Sequence, residues 1–198
     1  MKKILLFIIV FLFSSKSFAL ITVDITRGNL NPLPVAVSPI SSDKNTNNAL
    51  EKELDIKNLG LEISKVIENN LKTTGLFNPL NKDAFLQKPD IAHVKPRFED
   101  WSLIKAQALI TGKVELNDKK LRVEFRLWDV LAGKEMLALA FTTVPKNWRR
   151  VGHIITDKVY ERLTGEKGYF DTRIIYVAEE GPKTKRIKKL AIMDQDGF

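Results

Sequence analysis

Imidazole, thiol, hydroxyl and carboxylate groups carry most protein chemistry, and this chain offers few arrangements in which they could act together. His93 and His153 are its only histidines and it has no cysteine. That removes thiol catalysis and every thiolate metal site. The two histidines lie in separate segments, with no carboxylate spaced along the chain to close a metal site around either. His153 has Asp157 one helical turn away, which predicts a surface hydrogen bond between them. No Gly-x-Ser-x-Gly elbow occurs to present a serine nucleophile. Thr111-Gly112-Lys113 superficially matches the end of a phosphate loop, but the upstream glycine is missing and the stretch reads as strand. Asp194-Gln195-Asp196-Gly197 opens like a calcium loop without the later ligands. A tight turn whose aspartates accept from backbone amides fits it better. No catalytic residue, cofactor or metal is expected.

The N-terminus carries Lys2 and Lys3, an apolar run from Ile4 to Phe13, and the small residues Ser17 and Ala19 on either side of Phe18. This order predicts a secretory signal peptide over residues 1–19, cleaved after Ala19, and the run is too short to span a bilayer. The expected compartment is the periplasm. Oxidising surroundings permit disulfides, but without cysteine the mature chain must rely on a packed core, which its length allows. The formal charge is +8, of which Lys2, Lys3 and Lys16 supply three, so the mature chain would carry +5. Lys183, Lys185, Arg186, Lys188 and Lys189 form a dense basic run. It could attract phosphates or anionic headgroups, but a solvated hairpin tip is the commoner explanation of such a run.

Positioning elements can be read from periodicity. Ile21, Val23 and Ile25 alternate with polar residues, predicting either an edge strand or a free arm that becomes a strand on meeting a sheet edge. Val35-Ala36-Val37 reads as a short buried strand between Pro34 and Pro39, and Ser41 to Asn48 as a polar loop. Leu59, Ile63, Ile67 and Leu71 predict a helix from about Asp55 to Thr73, ended by Gly75. Gly60 is a weakness within it of about 1 kcal/mol against alanine. Three strands follow, from about Ala106 to Leu116, around Leu121, Val123, Phe125 and Leu127, and from Glu135 to Val144, joined by turns at Asn117-Asp118 and Ala132-Gly133. Asn147 is the expected N-cap of a second helix that buries Val151, Ile155, Val159 and Leu163 and stops at Gly165. Two helices over one face of a small mixed sheet give an α/β (α+β) domain from Leu20 to Thr164, then a linker over 165–172 and a hairpin over 173–198.

The run Leu163-Thr164-Gly165-Glu166-Lys167-Gly168, followed by Phe170-Asp171-Thr172-Arg173-Ile174 and Tyr176-Val177, resembles the junction between the N-terminal α/β domain and the first β-propeller blade of the TolB family. Gly75-Leu76-Phe77-Asn78-Pro79-Leu80, the hairpin from Leu127 to Lys134, and Met193-Asp194-Gln195-Asp196-Gly197 are similar to further pieces of that family. The resemblance implies a non-enzymatic periplasmic interaction protein of the Tol-Pal system, linking inner- and outer-membrane components and supporting envelope integrity and cell division. It implies that residues 173–198 are the first strands of a truncated propeller, marginal alone and open to proteases. It also implies that a TolA-like C-terminal domain binds the arm, namely Leu20, Ile21, Thr22, Val23, Asp24, Ile25, Thr26, Arg27, Gly28, Asn29, Leu30 and Asn31. A Pal-like lipoprotein would bind the propeller, at a site missing here. No nucleic acid and no membrane span after signal cleavage are expected. The alternative is an exported enzyme or lipid-binding module whose working part lies outside these residues.

Overall fold

The computed structural model describes Ile21 and residues 31–198. Its larger sheet contains six strands among the described residues: β1 (Leu33–Val37), β2 (Ser41–Ser42), β3 (Phe77–Pro79), β4 (Ala108–Asn117), β5 (Lys120–Asp129) and β6 (Lys134–Thr143). The order is β3-β1-β4-β5-β6, with β2 also paired to β4. β1 lies parallel to both neighbours, with Val35 opposite Pro79 on one side and Ala108 on the other. β4, β5 and β6 form an antiparallel meander. Its first turn is made by Asp118 and Lys119, at φ 49° and 62°. Left-handed conformation at both central residues matches the twist of the strands they join, so the turn sits one residue beyond the expected Asn117-Asp118 pair. A register shift between Leu127 and Trp128 leaves Met136 of β6 as the extra, unpaired residue, while the alternation along β5 continues. Leu121, Val123, Phe125 and Leu127 enter the main core, and Trp128 joins a second cluster.

Two long helices cover the main core, α2 (Leu59–Thr73) and α5 (Trp148–Thr164). The predicted stripes are buried, Leu59, Ile63, Ile67 and Leu71 on α2 and Val151, Ile155, Val159 and Leu163 on α5. Gly60 has a packing reason for interrupting the first of them. A Cβ there would lie 2.0 Å from the Ile40 carbonyl oxygen, because α2 runs directly over the chain between β1 and β2. Ser64, one turn on, fastens the same place: its hydroxyl accepts from the Ile40 amide at 2.9 Å and lies 3.2 Å from the Ser38 carbonyl oxygen. Gly152 on α5 likewise lets the helices approach, since its Cβ would stand 2.9 Å from Val66 Cγ1.

Three expectations are corrected. Ser41 to Asn48 is not a loop: it holds β2 and the start of α1 (Lys44–Leu54), whose first turn is capped by Asp43 Oδ1 accepting from the Thr46 amide at 2.7 Å. α1 buries only Thr46 and Leu50, so it leaves almost no periodic signal. The helix expected from Asp55 begins at Leu59, because Asp55 takes φ 57° as the C-cap of α1 and Asn58 caps α2 by accepting from the Leu61 amide. Asn147 precedes α5 but makes no capping bond, its side chain donating to Thr143 Oγ1 instead.

The opposite face of the sheet carries a smaller core that periodicity did not reveal. Short helices α3 (Pro89–Val94) and α4 (Phe98–Leu103) bring Ala92 and Trp101 onto Ala36, Leu109, Trp128 and Val130. Trp101 Nε1 donates to Gln87 Oε1 and Trp128 Nε1 to Thr111 Oγ1, so both buried indoles are satisfied. A second sheet contains β7 (Arg173–Glu180) and β8 (Ile187–Asp194), which among the described residues pair with each other only.

Candidate partner-binding arm and hairpin junction

Of the arm, only Ile21 and Asn31 fall among the described residues; Leu20 and Thr22 to Leu30 lie outside them. Ile21 packs against the main core and its amide donates to Asp129 Oδ2 at 3.4 Å. Asp129 is buried at the end of β5, and its other oxygen accepts from the Ala132 amide at 2.8 Å. One carboxylate thus holds the β5–β6 turn and meets the start of the arm.

Residues 165–172 are tied to α5 rather than loosely strung. Asp157 accepts from the Phe170 amide at 2.7 Å and the Asp171 amide at 3.1 Å, and Gly168 lies so close that a Cβ would stand 2.4 Å from Asp157 Cα. The expected His153–Asp157 pair is therefore not formed, because Asp157 is committed to this backbone. Phe170 is fully buried between Tyr160 and Tyr169, and Arg150 holds Asp171 through both carboxylate oxygens.

His153 is a core residue facing the far end of the hairpin. Its Nδ1 lies 2.9 Å from Asn70 Nδ2 on α2, and its Nε2 lies 3.7 Å from Asp194 Oδ2 and 4.0 Å from Asp196 Oδ2. Arg149 Nη2 bonds Asp196 Oδ2 at 2.6 Å, with its guanidinium carbon 3.8 Å from the centre of the Phe198 ring. Gln195 Nε2 donates to Asn70 Oδ1 at 2.9 Å. The turn at 194–197 therefore docks on both helices. Within it Gly197 takes φ 86° and donates to the Asp194 carbonyl. Periodicity does not reveal this gathering because its three contributing segments, at Asn70, at Arg149 to His153 and at Asp194 to Phe198, stand 41 or more positions apart along the chain. The available signal was the polar pair Asn70 and His153 at buried phases of apolar stripes.

Beyond that turn the hairpin is open. Ile175, Val177, Leu190 and Ile192 share one face by their register and are all exposed. At its tip, Arg186 and Lys188 pair with Glu179, and Lys189 with Glu180. Three of the five clustered cations therefore have acidic partners.

The other histidine, His93 on α3, is buried 3.8 Å from Glu124 Oε2, with Nδ1 lacking a hydrogen bond. Burial, followed by the nearby Arg126 charge, pushes its pKa below the usual 6.5 despite Glu124. Hydrogen bonds from Arg122 hold the Glu124 carboxyl below its ordinary range. Because folding lowers the His93 pKa, the unfolded chain binds the extra proton more readily below 6.5. The stability this histidine carries is complete above that value and is lost as pH falls through its folded pKa. Urea titrations at pH 7.5 and pH 5.5 should show a pH-linked loss that shrinks in His93→Gln; an unchanged loss would assign it elsewhere.

A model of the TolB amino-terminal domain matches residues 21–136. The Tol-Pal system protein TolB of Pelagibacter ubique (strain HTCC1062) is 77% identical over 193 residues, covering 98% of this chain and 43% of that protein. The chain thus spans less than half the length of this curated relative. A crystal structure of TolB from Acinetobacter baumannii superimposes with a TM-score of 0.67 at 21% identity, over 90% of this chain and 40% of that one. That likeness shows a shared fold. No helix among the described residues is long and apolar enough to cross a membrane. With more than half of its length matched to the amino-terminal domain model and its mixed sheet shared with a TolB structure, the chain belongs to the TolB family.

Proposed function

We propose that this chain is the N-terminal part of a periplasmic, non-enzymatic Tol-Pal interaction protein, exported by the signal peptide at residues 1–19. Residues 20–164 form its α/β domain, 165–172 a junction, and β7 and β8 the first strands of a β-propeller. The observation that carries the reading is the division of the strands into two sheets, the second held to the first through α5 and the 194–197 turn and not by strand pairing. An exposed hairpin with apolar residues on its face is what a propeller's first strands present to further strands.

The arm, Leu20 to Asn31, binds a TolA-like C-terminal domain by adding a strand to that partner's sheet, with Ile21, Val23 and Ile25 supplying side chains. Ile21 against Asp129 and the core fixes where one end of the arm meets the domain. In the longer family proteins a Pal-like lipoprotein contacts the propeller, at a site outside these residues, and the whole assembly supports outer-membrane integrity and division. The pairing of the tip cations with Glu179 and Glu180 weighs against the lipid-binding alternative. Calorimetry of the purified protein against a TolA C-terminal domain should show saturable heat that disappears when residues 20–31 are deleted. The same heat from the deleted protein would place the contact elsewhere.

A further inference from the structure

We propose that His153, Asp194 and Asp196 form a binding site for a divalent transition-metal cation of the zinc class, at the junction of the helix pair and the hairpin. Each offers one ligand atom, and the three atoms lie within 4.8 Å of one another. The separations of 3.7 and 4.0 Å from His153 Nε2 to the two carboxylates are slightly wider than the roughly 3.3–3.6 Å that tetrahedral bonds of about 2.0–2.2 Å set between ligands, so the aspartate side chains close by a few tenths of an ångström around one ion. His153 is 2% exposed, and its Nε2 points into this space without a hydrogen bond. Asp196 Oδ1 is also buried and unpartnered. A mixed nitrogen and carboxylate donor set favours zinc-like ions over calcium or magnesium, which take oxygen throughout.

The surrounding polar groups can accommodate either state. A ligating imidazole presents a lone pair at Nε2 and therefore carries its proton on Nδ1, which needs an acceptor. Asn70 supplies one when its amide presents Oδ1 to His153, with the Gln195 amide reversed to match and the Thr156 hydroxyl turned toward Asn70 from the Gly152 carbonyl, to which it otherwise donates at 2.8 Å. Without an ion, Asn70 Nδ2 donates to His153 Nδ1 and to Thr156 Oγ1, and Nε2–H faces the carboxylates. Reversing the Asn70 and Gln195 amides exchanges one self-consistent network for the other. A bound cation selects the form with the free Nε2 lone pair.

Two arginines oppose the ion. Arg149 lies 2.6 Å from Asp196 Oδ2 and 3.8 Å from Asp194 Oδ2, and Arg173 lies 3.9 Å from Asp194 Oδ1. Arg149 must yield its bond to Asp196, and the faces of Phe198 and Trp148, 3.8 and 5.6 Å from its guanidinium carbon, keep that cation in place. The site therefore carries a signature that a general surface effect would lack: removing Arg149 tightens ion binding while weakening the docked turn.

The test is calorimetry and thermal melting of the purified, untagged protein with Zn²⁺, Mg²⁺ or Ca²⁺ alone. Zn²⁺ should bind at a single equivalent and raise Tm more than the other ions. Asp194→Asn and Asp196→Asn should each weaken it by about tenfold or more, and Arg149→Gln should strengthen it. Glu124→Gln, beside the other histidine, should leave it unchanged. His153→Gln should abolish binding; should that variant fail to fold, the two aspartate variants decide, since Asp194 is partly exposed. No saturable Zn²⁺ binding, or affinity unchanged from the parent protein in both aspartate variants, would overturn the site and leave an adventitious ion only.

Discussion

Replacing Phe170 with alanine is expected to lower the unfolding free energy by about 3–5 kcal/mol, the usual cost of emptying a buried phenylalanine position. The ring is fully buried, stacks on Tyr169 at 4.6 Å and meets Tyr160 edge-on at 5.8 Å. Urea unfolding followed by tryptophan fluorescence would read the loss, and in a domain of this size it corresponds to a Tm drop of roughly 10 °C. The effect should extend beyond stability. Phe170 anchors the residues that lead into β7, so trypsin cleavage near Lys167 and Arg173 should accelerate well before the main core unfolds. Phe198→Ala provides the contrast, because that ring is 75% exposed and lies over Arg149 rather than in the core. A loss below about 1 kcal/mol in Phe170→Ala would mean that residues 165–172 hang free of the domain, contrary to their bonds with Asp157.

Gly60→Ala should also destabilise, against the direction that helix propensity sets. Alanine in a helix interior is ordinarily favoured over glycine by about 1 kcal/mol. Here the added methyl would meet the Ile40 carbonyl oxygen at 2.0 Å, so α2 must lift from the β1–β2 link or break the Ser64 bonds to it. Overpacking of this kind costs about 1–3 kcal/mol, which outweighs the propensity gain. Gly75→Ala separates the two causes. Nothing lies within 4 Å of a Cβ at Gly75, and only its φ of 71° is strained by a side chain, at about 1 kcal/mol. Gly60→Ala melting above the parent protein would show that the helix tolerates a small outward shift.

These two positions mark how far periodicity carries. The stripes on α2 and α5, the β4–β5–β6 meander and the glycine stops were legible because each depends on residues three, four or two positions apart. Gly60 was legible as a break in a pattern but not as a close approach, since Ile40 becomes its neighbour only through the tertiary fold. α1 was missed because two inward residues make no stripe, and the core of Trp101, Trp128 and Leu109 because its helices are six residues each. The residues around His153 come together from α2, α5 and the hairpin turn, and no local spacing encodes that. The arm was read from alternation, and Ile21 is the part of it whose packing is now described.

The position of β1 sets an order of assembly. Among the described residues it is the first strand of the larger sheet along the chain but lies in its interior, between β3 and β4, so Val35 must wait for Pro79 before one side is paired and for Ala108 before the other. The meander can zip up through neighbours in the chain, whereas β1 closes the sheet across long loops, the slower kind of pairing. Until β3 and β4 are both available the apolar segment Leu33–Val37 therefore stays uncovered, which makes it a stretch that a holding chaperone would need to shield before folding.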